Sequence, residues 1–542
     1  MNILQRLLQG LWLLLFVIIL QQTGMSMLGW LPAESMFYLD PLLFLGVLLS
    51  AGIVMPALLL LGLLLLGTLV LGRFFCGYIC PLGSTFDFSK QLFAKLNKKQ
   101  FLQIPLGWLT VKYLFLLLLI FAALLGLNLA HWGSPLAWAG RLYILAVLPW
   151  LQYLPQQLLE RLPEAFNPSL LQTLLVQGDA ARYSTLWFLL PFFLFLFWLN
   201  QRSPRFWCRF ICPAGGLLAL LGQRPLLRRQ VSSACTQCQK CVQECPMQAI
   251  HQDAAKTLHQ ECIACQKCVK ICPESAIHFG LGTGSIRPEP FLPGRRQALQ
   301  ALGLGAAISF IGHRGLYEYW PRQDKGHITP PELIRPPGAV PETEFLNQCL
   351  RCGLCLQACP TNMLQPAWWE AGLSGVYSPL AVARRGPCEP ECNACGQVCP
   401  SGAIRNLGLQ EKHWAKMGTA VINRRACIAW EMDRDCLICD EACPFGAVSL
   451  ERIPGQEAAV PLVEDRKCTG CGFCEHACPV RAESAIQVTP MAELRLKQGS
   501  YRQEGRRMGL DISREREKAP LQPPPEGSRE KDEDQLPPGF SE

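Results

Sequence analysis

Residues 235–246 read CTQCQKCVQECP, and residues 262–273 read CIACQKCVKICP. Both follow the spacing C-x2-C-x2-C-x3-C-P, in which three closely spaced thiolates bind one four-iron cluster and the fourth binds the other cluster of a pair. The spacing therefore predicts an α+β domain of the bacterial ferredoxin type. We expect two ligand sets in it: Cys235, Cys238, Cys241 with Cys272, and Cys262, Cys265, Cys268 with Cys245.

Four more motifs of this kind follow, at residues 349–360, 388–400, 427–444 and 468–479. The second and third of these contain extra residues after the first cysteine, but their last three ligands keep the spacing. A similar short segment, such as SGAI at 401–404, follows every motif, and this internal repeat predicts a short strand after each site. The candidate ligands are Cys349, Cys352, Cys355, Cys359, Cys388, Cys392, Cys395, Cys399, Cys427, Cys436, Cys439, Cys443, Cys468, Cys471, Cys474 and Cys478.

The chain contains 28 cysteines, and the six motifs use all but four of them. The sequence therefore predicts six [4Fe–4S] clusters and leaves no cysteine for a structural disulfide. A zinc protein would instead show isolated pairs of C-x-x-C. The formal net charge of +8 omits the negative charge of cluster-bound thiolates. No basic strip with interleaved aromatic residues is present, so we do not expect nucleic-acid binding.

The remaining four cysteines lie in two similar stretches, GRFFCGYICPLG at 72–83 and PRFWCRFICPAG at 204–215. If each stretch is helical, its two cysteines lie at i and i+4 on one face, and the following proline marks a change of direction. Three roles remain open for the four thiols: metal binding, electron transfer as a dithiol, or docking of a neighbouring domain. Simple packing of buried thiols is the alternative to all three. The four residues are Cys76, Cys80, Cys208 and Cys212.

Apolar residues are concentrated before about residue 220. Four segments, at 10–30, 53–72, 113–132 and 184–199, are candidate membrane spans. Lysine and arginine are frequent in 73–112 and after 199 but absent from 31–52, which places the N-terminus and both C-x3-C-P stretches in the cytoplasm. The expected fold class is an α-helical membrane bundle of four to five spans plus α+β ferredoxin-like 4Fe–4S domains.

The chain divides into six predicted parts. Arg295 and Arg296 precede about sixteen small and apolar residues, which fit either a twin-arginine export signal or a fifth span. A third possibility is that this segment does not span and all clusters lie in the cytoplasm. The predicted parts are a membrane domain at 1–220, a cytoplasmic two-cluster domain at 221–285, the twin-arginine-like segment at 290–315, a Pro-rich linker at 316–344, a periplasmic four-cluster domain at 345–490 and a disordered tail at 491–542.

Two families are recognisable in this pattern. Residues 1–280, with LDPLLFL at 39–45 and CPLGSTFD at 80–87, resemble the NapH type of membrane ferredoxin. Residues 290–490, whose third motif opens with CIAW, resemble the NapG and MauM type of periplasmic four-cluster ferredoxin. The resemblance implies a fusion of two usually separate proteins.

The same resemblance implies the biological setting. It suggests an inner-membrane protein that takes electrons from quinol, or from a cytosolic donor, and passes them to a periplasmic oxidoreductase or cytochrome, typically a nitrate reductase. Such a chain is an electron-transfer subunit more than a stand-alone enzyme. Its expected partners are the lipid bilayer, the quinol pool and the periplasmic acceptor.

For the four-cluster domain, the resemblance implies that the first motif pairs with the fourth and the second with the third. Cys478 would then join the ligand set of the first motif, and Cys359 that of the fourth. In the same way, Cys443 would join the second motif, and Cys399 the third.

Quinol oxidation releases protons, so an acidic residue or a histidine is expected near a membrane interface. The candidates are Asp40, His131, Glu164 and Asp87. Two other functions compete with electron transport. One is a metal-reducing enzyme or metallocentre assembly factor, and the other is a regulatory scaffold for a partner reductase.

Overall fold

The structure is a computed structural model and describes residues 3–23, 32–92, 105–151, 153, 183, 185–282, 294–314, 333–481 and 483–512. The N-terminal part is helical. Its α-helices are α1 (Ile3–Gln21), α2 (Pro41–Ala51), α3 (Leu58–Leu71), α4 (Phe74–Tyr78), α5 (Pro81–Leu92), α6 (Thr110–Leu124), α7 (Ala130–Gly133), α8 (Pro135–Arg141), α9 (Leu186–Arg202) and α10 (Pro213–Leu221). Two π-helical segments, Leu142–Val147 and Trp207–Ile211, continue α8 and precede α10.

The four predicted apolar segments correspond to α1, α3, α6 and α9. In the described residues, two segments, Leu4–Gln21 and Gly107–Leu124, are long and apolar enough to cross a bilayer. A third crossing is added if the short 3₁₀ helix Ala33–Leu39 and α2, which meet at 87°, count as one span. Helices α3 and α9 are apolar but shorter. The helices are compatible with membrane association, whereas the expected four to five spans do not follow from helix length alone.

The turn into α2 is fixed by local chemistry. The Asp40 carboxylate accepts a hydrogen bond from the backbone N–H of Leu42 at 2.9 Å, and Pro41 occupies the first turn, where its missing N–H costs nothing. Gly52 ends the helix with φ +67, a conformation that glycine adopts without strain. Asp40 is therefore a helix cap.

The two-cluster domain consists of an antiparallel pair, β1 (Leu227–Val231) and β2 (Ile277–Leu281), with the motifs between the two strands. A short helix contains the third cysteine of each motif: α11 (Lys240–Gln243) holds Cys241, and α12 (Lys267–Ile271) holds Cys268. Helix α13 (Arg295–Arg314) comes next in the described chain. It begins at the predicted twin-arginine pair, and its Gly305 contacts Phe121 of α6. Helix α13 therefore packs alongside α6.

The four-cluster domain contains three antiparallel strand pairs, β3–β4, β5–β8 and β6–β7. The strands are β3 (Leu364–Pro366), β4 (Pro379–Ala381), β5 (Thr419–Ile422), β6 (Val448–Glu451), β7 (Val460–Val463) and β8 (Ile486–Thr489). The helices are α14 (Glu342–Gln348), α15 (Leu354–Ala358), α16 (Gly372–Gly375), α17 (Ala394–Gln397), α18 (Leu409–Trp414), α19 (Ile428–Glu431), α20 (Ile438–Ala442), α21 (Phe473–Ala477) and α22 (Tyr501–Arg507).

The predicted strand after each motif is present in most cases. Strands β2, β3, β6 and β8 follow four of the six motifs. After the other two motifs the chain forms single antiparallel bridges, Ile250 with Thr257 and Ile404 with Ala339. The repeat detected in the sequence therefore corresponds to a repeated structural unit.

Two predicted boundaries were wrong. Residues 333–344, assigned to a Pro-rich linker, belong to the four-cluster domain, because Ile334, Ala339 and Val340 are buried in it. The predicted disordered tail is folded as far as residue 512. Helix α22 packs on α18, and Tyr501 is fully buried beside Leu494. Charge and proline content suggested disorder there, but the apolar residues in this segment are sufficient for docking.

The two ferredoxin-like domains lie at opposite ends of α6. Lys112, in the first turn of α6, binds Glu261 of the two-cluster domain. Asn128, just beyond the last turn, donates a hydrogen bond to the backbone carbonyl of Asn347 in the four-cluster domain at 2.7 Å. Helix α6 has 15 residues and is therefore about 22 Å long. The helical domain thus separates the two sets of cluster motifs.

Candidate iron–sulfur sites

In the two-cluster domain, the structure groups the cysteines as the spacing predicts. One cavity is lined by Cys235, Cys238, Cys241 and Cys272. A second cavity is lined by Cys245, Cys262, Cys265 and Cys268. Each cavity receives three thiols from one motif and the fourth from the other, because α11 and α12 lie side by side.

The four-cluster domain is grouped differently from the expected pairing. The first and second motifs of this domain exchange their fourth cysteines, and the third and fourth motifs do the same. Three cavities show this, and in the remaining set Cys395 interacts with Cys359, Cys388 and Cys392. The first cavity is lined by Cys349, Cys352, Cys355 and Cys399, the second by Cys427, Cys436, Cys439 and Cys478, and the third by Cys443, Cys468, Cys471 and Cys474.

The pairing implied by the resemblance is therefore wrong for this structure, and the reason is local. Helix α15 packs against α17, and α20 packs against α21. Each motif consequently has its nearest neighbour in the next motif along the chain. The fourth cysteine follows these short helices and points toward the neighbouring site. The domain is two consecutive copies of the arrangement seen in the two-cluster domain.

Backbone donors around the thiols support cluster binding. N–H groups donate to the sulfur atoms of Cys245 at 3.3 Å, Cys399 at 3.4 Å and Cys443 at 3.3 Å. Such bonds stabilise sulfur that carries negative charge, as in a metal thiolate. Among the described residues, no three His, Cys, Asp or Glu side chains converge closely enough for a single metal ion. The thiols surround cavities, which fits a multi-iron group. Bound clusters of this kind accept and release single electrons.

Each C-x3-C-P stretch changes direction at its proline as predicted, but its first helix ends before the second cysteine, so the two cysteines do not share one helix. Helix α4 ends before Cys80, and α5 begins at Pro81. In the second copy, Cys212 is the cap of α10, and its sulfur accepts a hydrogen bond from the N–H of Gly215 at 3.2 Å. Proline favours the first position of a helix, so each stretch changes direction at its second cysteine. All four thiols are buried.

The arginine of each C-x3-C-P stretch forms a hydrogen bond with the other stretch. Arg73 of the first copy donates to the carbonyl of Cys208 at 3.2 Å, and Arg205 of the second donates to the carbonyl of Cys76 at 2.6 Å. A Cβ atom at Gly215 would lie 2.6 Å from the guanidinium of Arg73. The arginine and the glycine repeated in the two stretches therefore fit one another across the two copies.

Buried acids balance these arginines. Glu261 of the two-cluster domain binds Arg73 at 2.7 Å and Lys112 at 2.5 Å, and all three side chains are at most 1% exposed. Asp87 binds Arg205 at 2.6 Å. Burial alone would raise the pKa of Asp87, but the charge and hydrogen bonds of Arg205 hold it below its ordinary value. Sequence reasoning missed Glu261, because nothing in its local sequence distinguishes it from a surface residue.

The two-cluster domain contacts α4 through a cluster loop. Tyr78 donates to the carbonyl of Ala264 at 2.8 Å. A Cβ atom at Gly77 would lie 2.6 Å from the carbonyl of Ile263. The loop between Cys262 and Cys265 therefore lies directly on α4, the helix that contains Cys76. We call this contact the first junction.

The four-cluster domain contacts the opposite end of the helical domain, and we call this contact the second junction. Arg141 donates to the carbonyl of Arg351 at 3.2 Å, and Ser50 donates to the carbonyl of Asn347 at 3.1 Å. Tyr38 donates to the carbonyl of Pro400, also at 3.1 Å. The acceptors are backbone carbonyls in or beside the cluster motifs, so folded motifs are needed to form the contact.

Aromatic rings connect the thiols with the second junction. The ring of Trp207, next to Cys208, lies 6.1 Å from that of Trp138. Trp138 lies 6.2 Å from Tyr377, which lines the cavity of the Cys349 set. The guanidinium of Arg141 lies 4.8 Å from the ring of Trp138 and 4.5 Å from that of Tyr377.

The four candidates for proton release at a quinol site have different environments. Asp40 caps α2 and accepts a hydrogen bond from Ser134 at 2.5 Å, and Asp87 is paired with Arg205. Glu164 lies outside the described residues. His131 is buried beside Arg351 and Arg141, and the backbone of Asn128 lies close enough to interact with its ring. Among the described candidates, His131 is therefore the one with neither an ion pair nor a capping role.

Family comparisons agree with the cysteine arrangement. Two models described as 4Fe–4S dicluster domains match residues 228–273 and 434–482. Models described as 4Fe–4S binding domains match 349–362 and also 53–100 with 183–232. The last match contains both C-x3-C-P stretches.

Several curated proteins are similar to this chain. The methylamine utilization ferredoxin-type protein MauM of Methylophilus methylotrophus is 36% identical over 202 residues, which cover 36% of this chain and 84% of that protein. MauM of Methylorubrum extorquens is 36% identical over 37% of this chain and 91% of its own length. The ferredoxin-type protein NapG of Escherichia coli is 39% identical over 29% of this chain and 71% of its own length. With its 4Fe–4S domains, the chain belongs to the NapG/MauM family of iron–sulfur electron-transfer ferredoxins.

Proposed function

We propose that this membrane-bound chain passes electrons through its clusters, from quinol or a cytosolic donor, to a periplasmic oxidoreductase such as a nitrate reductase. The helical domain acts as a multi-pass anchor with the two-cluster domain on its cytoplasmic side. The four-cluster domain lies on the periplasmic side and presents the exit to the acceptor. Six [4Fe–4S] clusters, one for each cysteine set, are the electron carriers.

One observation carries this proposal: the two ferredoxin-like domains lie at opposite ends of α6. The segment that contains α6 is one of the two described segments long enough to cross a bilayer. The positive residues in 73–112 and after 199 favour the cytoplasm for the end that contacts Glu261. The other end, which contacts Asn347, then faces the periplasm.

Helix α13 supplies the connection between the two sides. It lies between the two cluster-containing domains in sequence, packs alongside α6 and contacts α16 of the four-cluster domain. Its paired arginines, Arg295 and Arg296, stand at its start. This placement supports α13 as a further membrane helix that begins on the cytoplasmic side and depends on its packing against α6, since it is less apolar than Leu4–Gln21 and Gly107–Leu124. The arginine pair then serves export of the domain that follows.

Quinol is the proposed electron donor, and His131 is the proposed hydrogen-bond acceptor for its hydroxyl group. The side chain lies against Trp132, with ring centroids 5.4 Å apart, close to the second junction. Burial and the positive charges of Arg351 and Arg141 favour the neutral ring, which can accept a hydrogen bond from a bound hydroxyl group. Its position near Arg351 connects it with the first cluster motif of the four-cluster domain.

Sidedness is tested by proteolysis of the full-length protein in spheroplasts and in inverted membrane vesicles. We expect trypsin to cleave residues 333–512 only in spheroplasts and residues 221–282 only in inverted vesicles. Cleavage of both domains from the same side would contradict transfer across the membrane. Immunoblots against the two domains identify the fragments.

The donor is tested by adding a reduced quinol to the anaerobically purified protein and recording electron paramagnetic resonance spectra. Reduction of one or more clusters supports quinol as the donor. His131→Gln should slow this reduction while leaving reduction by dithionite unchanged. If quinol reduces no cluster in the wild-type protein, the quinol donor is excluded and the cytosolic donor remains.

A further inference from the structure

We propose that Cys76, Cys80, Cys208 and Cys212 together bind one additional iron–sulfur cluster, held inside the helical domain between the two junctions. The site is separate from the six ferredoxin-type sets. It takes an iron–sulfur core as its ligand, and each of the two C-x3-C-P stretches contributes two thiolates.

The two stretches meet at the guanidinium of Arg73, although they are more than 120 residues apart in the sequence. One nitrogen of this group lies 3.9 Å from the sulfur of Cys76 and 3.2 Å from the carbonyl oxygen of Cys208. It also lies 2.6 Å from the Cβ position of Gly215, which is 3.5 Å from the sulfur of Cys212. The exposed fractions of the four residues are only 4% to 9%. Two thiols from each of two similar stretches thus meet in one enclosed place, whereas packing alone does not require four sulfurs together.

The buried charges around the thiols indicate that the site holds an anion. Arg73 and Lys112 share a single carboxylate, that of Glu261, while Arg205 is balanced by Asp87. Among the described residues, the ion pairs of these three cations thus involve two carboxylates, in a region where the cations are at most 1% exposed. An isolated buried charge is strongly unfavourable. Thiolates that bind a cluster supply the missing negative charge, whereas four neutral thiols do not.

The donors around the sulfurs fit the same interpretation. A guanidinium nitrogen of Arg73 lies 3.9 Å from the sulfur of Cys76, and the N–H of Gly215 donates to that of Cys212 at 3.2 Å. The arginines of the two stretches fix the carbonyls of Cys208 and Cys76, so that each stretch positions the other. A rigid, symmetric frame with donors aimed at sulfur is the environment expected around a cluster.

Binding of a cluster at this site is balanced in bonds, protons and electrons. Insertion of a preassembled iron–sulfur core replaces four S–H bonds with four Fe–S bonds and releases four protons. The sulfur atoms of the cysteines are neither oxidised nor reduced. The core comes from the assembly route that also serves the six ferredoxin-type sites.

The position of the site deepens the proposed function and rests on it for its role. On one side, Gly77 contacts the loop of the Cys262 set. On the other side, Trp207, Trp138 and Tyr377 lead to the Cys349 set. A redox centre here divides the distance between the two junctions into two shorter steps.

The test is the iron content of the full-length protein purified anaerobically. Six four-iron clusters require about 24 irons per chain, and a seventh site adds about two or four, depending on cluster type. In the double variant Cys76→Ser, Cys212→Ser we expect the loss of this increment and of one electron paramagnetic resonance signal. Ser84→Ala is the matched control, since Ser84 is equally buried in α5, and it should change neither quantity.

Contrary outcomes are distinct. Wild-type protein with only about 24 irons, or unchanged iron and spectra in the double variant, overturns the proposal. A disulfide between the two stretches, found by mass spectrometry of protein denatured under acid conditions, overturns it in favour of a dithiol. If the double variant does not fold, the iron count of the wild-type protein still decides. The side of the membrane and the reduction by quinol are measured in separate experiments. A negative result in either of them leaves the iron content of this site unaffected, so the two proposals are tested independently.

Discussion

The two junctions hold a ferredoxin-like domain against the helical domain in different ways. At the first junction, the carboxylate of Glu261 is enclosed by Arg73 and Lys112. The attraction between these opposite charges therefore holds the two-cluster domain against the helical domain. At the second, side chains of the helical domain, such as Arg141 and Ser50, donate to backbone carbonyls of the cluster motifs. Among the described residues, no ion pair crosses the second junction.

This difference has a physical consequence. A buried acid shared by two cations is intolerant of substitution, because removal of the acid leaves charge in an apolar place. Backbone carbonyls are present whatever the side chain is, so the second junction depends on the conformation of the loops more than on their sequence. A carbonyl-based contact therefore forms only after the motifs have folded around their ligands, which ties docking to cluster loading.

The largest effect is expected from Glu261→Gln. The change leaves Arg73 and Lys112 buried without a carboxylate, and breaking such a pair typically costs about 3–5 kcal/mol. We expect the two-cluster domain to detach from the helical domain while its own motifs still bind iron. Hydrogen exchange of residues 260–265 in the full-length protein measures the loss of protection.

Glu244→Gln is the control for this variant. Glu244 lies in the same domain and pairs with Lys267 at 2.9 Å, but its side chain is 51% exposed. Exposed ion pairs contribute about 0–1 kcal/mol, so protection at the first junction should be nearly unchanged. Equal effects of the two variants would show that the buried charges do not determine docking.

A smaller effect is expected from Arg141→Met at the second junction. Arg141 donates to the carbonyls of Arg351 and His131 and stacks on Trp138 and Tyr377. Hydrogen bonds that involve a charged group contribute about 1.5–3 kcal/mol. We expect protection of amides 349–353 to fall, with unchanged protection at 260–265.

Arg202→Met supplies the matched comparison, since Arg202 also lies near an indole ring, that of Trp198, at 5.3 Å. This ring is half exposed, so the contact contributes about 0.5–1 kcal/mol at most. If Arg202→Met disturbs residues 349–353 as strongly as Arg141→Met, the second junction is not held by the contacts of Arg141.

These contrasts also show what the sequence could reveal. The spacing of the cysteines predicted every ferredoxin-type motif, and for the two-cluster domain also which cysteine joins which set, because that exchange depends on local geometry. The short segments after the motifs predicted strands for the same reason. These features are encoded within about forty residues of chain.

Features that depend on distant contacts were not predictable in this way. The pairing in the four-cluster domain follows from the packing of α15 on α17 and of α20 on α21, which spacing does not specify. Glu261 is more than 180 residues from Arg73 and is not marked by any motif. The stretch 491–512 has a charged composition, yet Tyr501 and Leu494 bury it against α18.

The next effect concerns the pH dependence of α14, the helix of the four-cluster domain that contacts α2 at the second junction. Glu342, at the start of α14, is bound by Arg335 at 2.6 Å and by Arg495 at 2.7 Å. Burial would raise the pKa of Glu342, but the hydrogen bonds and charges of these arginines hold it below its ordinary value. Because the folded-state pKa is lowered, the contribution to stability is complete at neutral pH. It is lost as the pH falls through that pKa.

We therefore expect α14, whose last residues contact α2, to lose hydrogen-exchange protection as the pH is lowered below about 5. In Glu342→Gln this pH-dependent part should be absent, although protection at pH 7 is already lower. The comparison is made at each pH between the two proteins, so that acid lability of the clusters affects both equally. A constant difference between them at all pH values would exclude titration of Glu342 as the cause.

The smallest effects are expected from two tyrosine variants that probe one hydrogen bond at each junction. Tyr78→Phe removes the bond to Ala264, and Tyr38→Phe removes the bond to Pro400. Each should cost about 0.5–1.5 kcal/mol, and each should reduce protection at its own junction only. Combined with Glu261→Gln, the Tyr78→Phe variant should add little, because the loop has already left α4, whereas Tyr38→Phe should remain additive. Coupling of Tyr38 with Glu261 would instead mean that the two junctions form cooperatively, and the distinction between them would then fail.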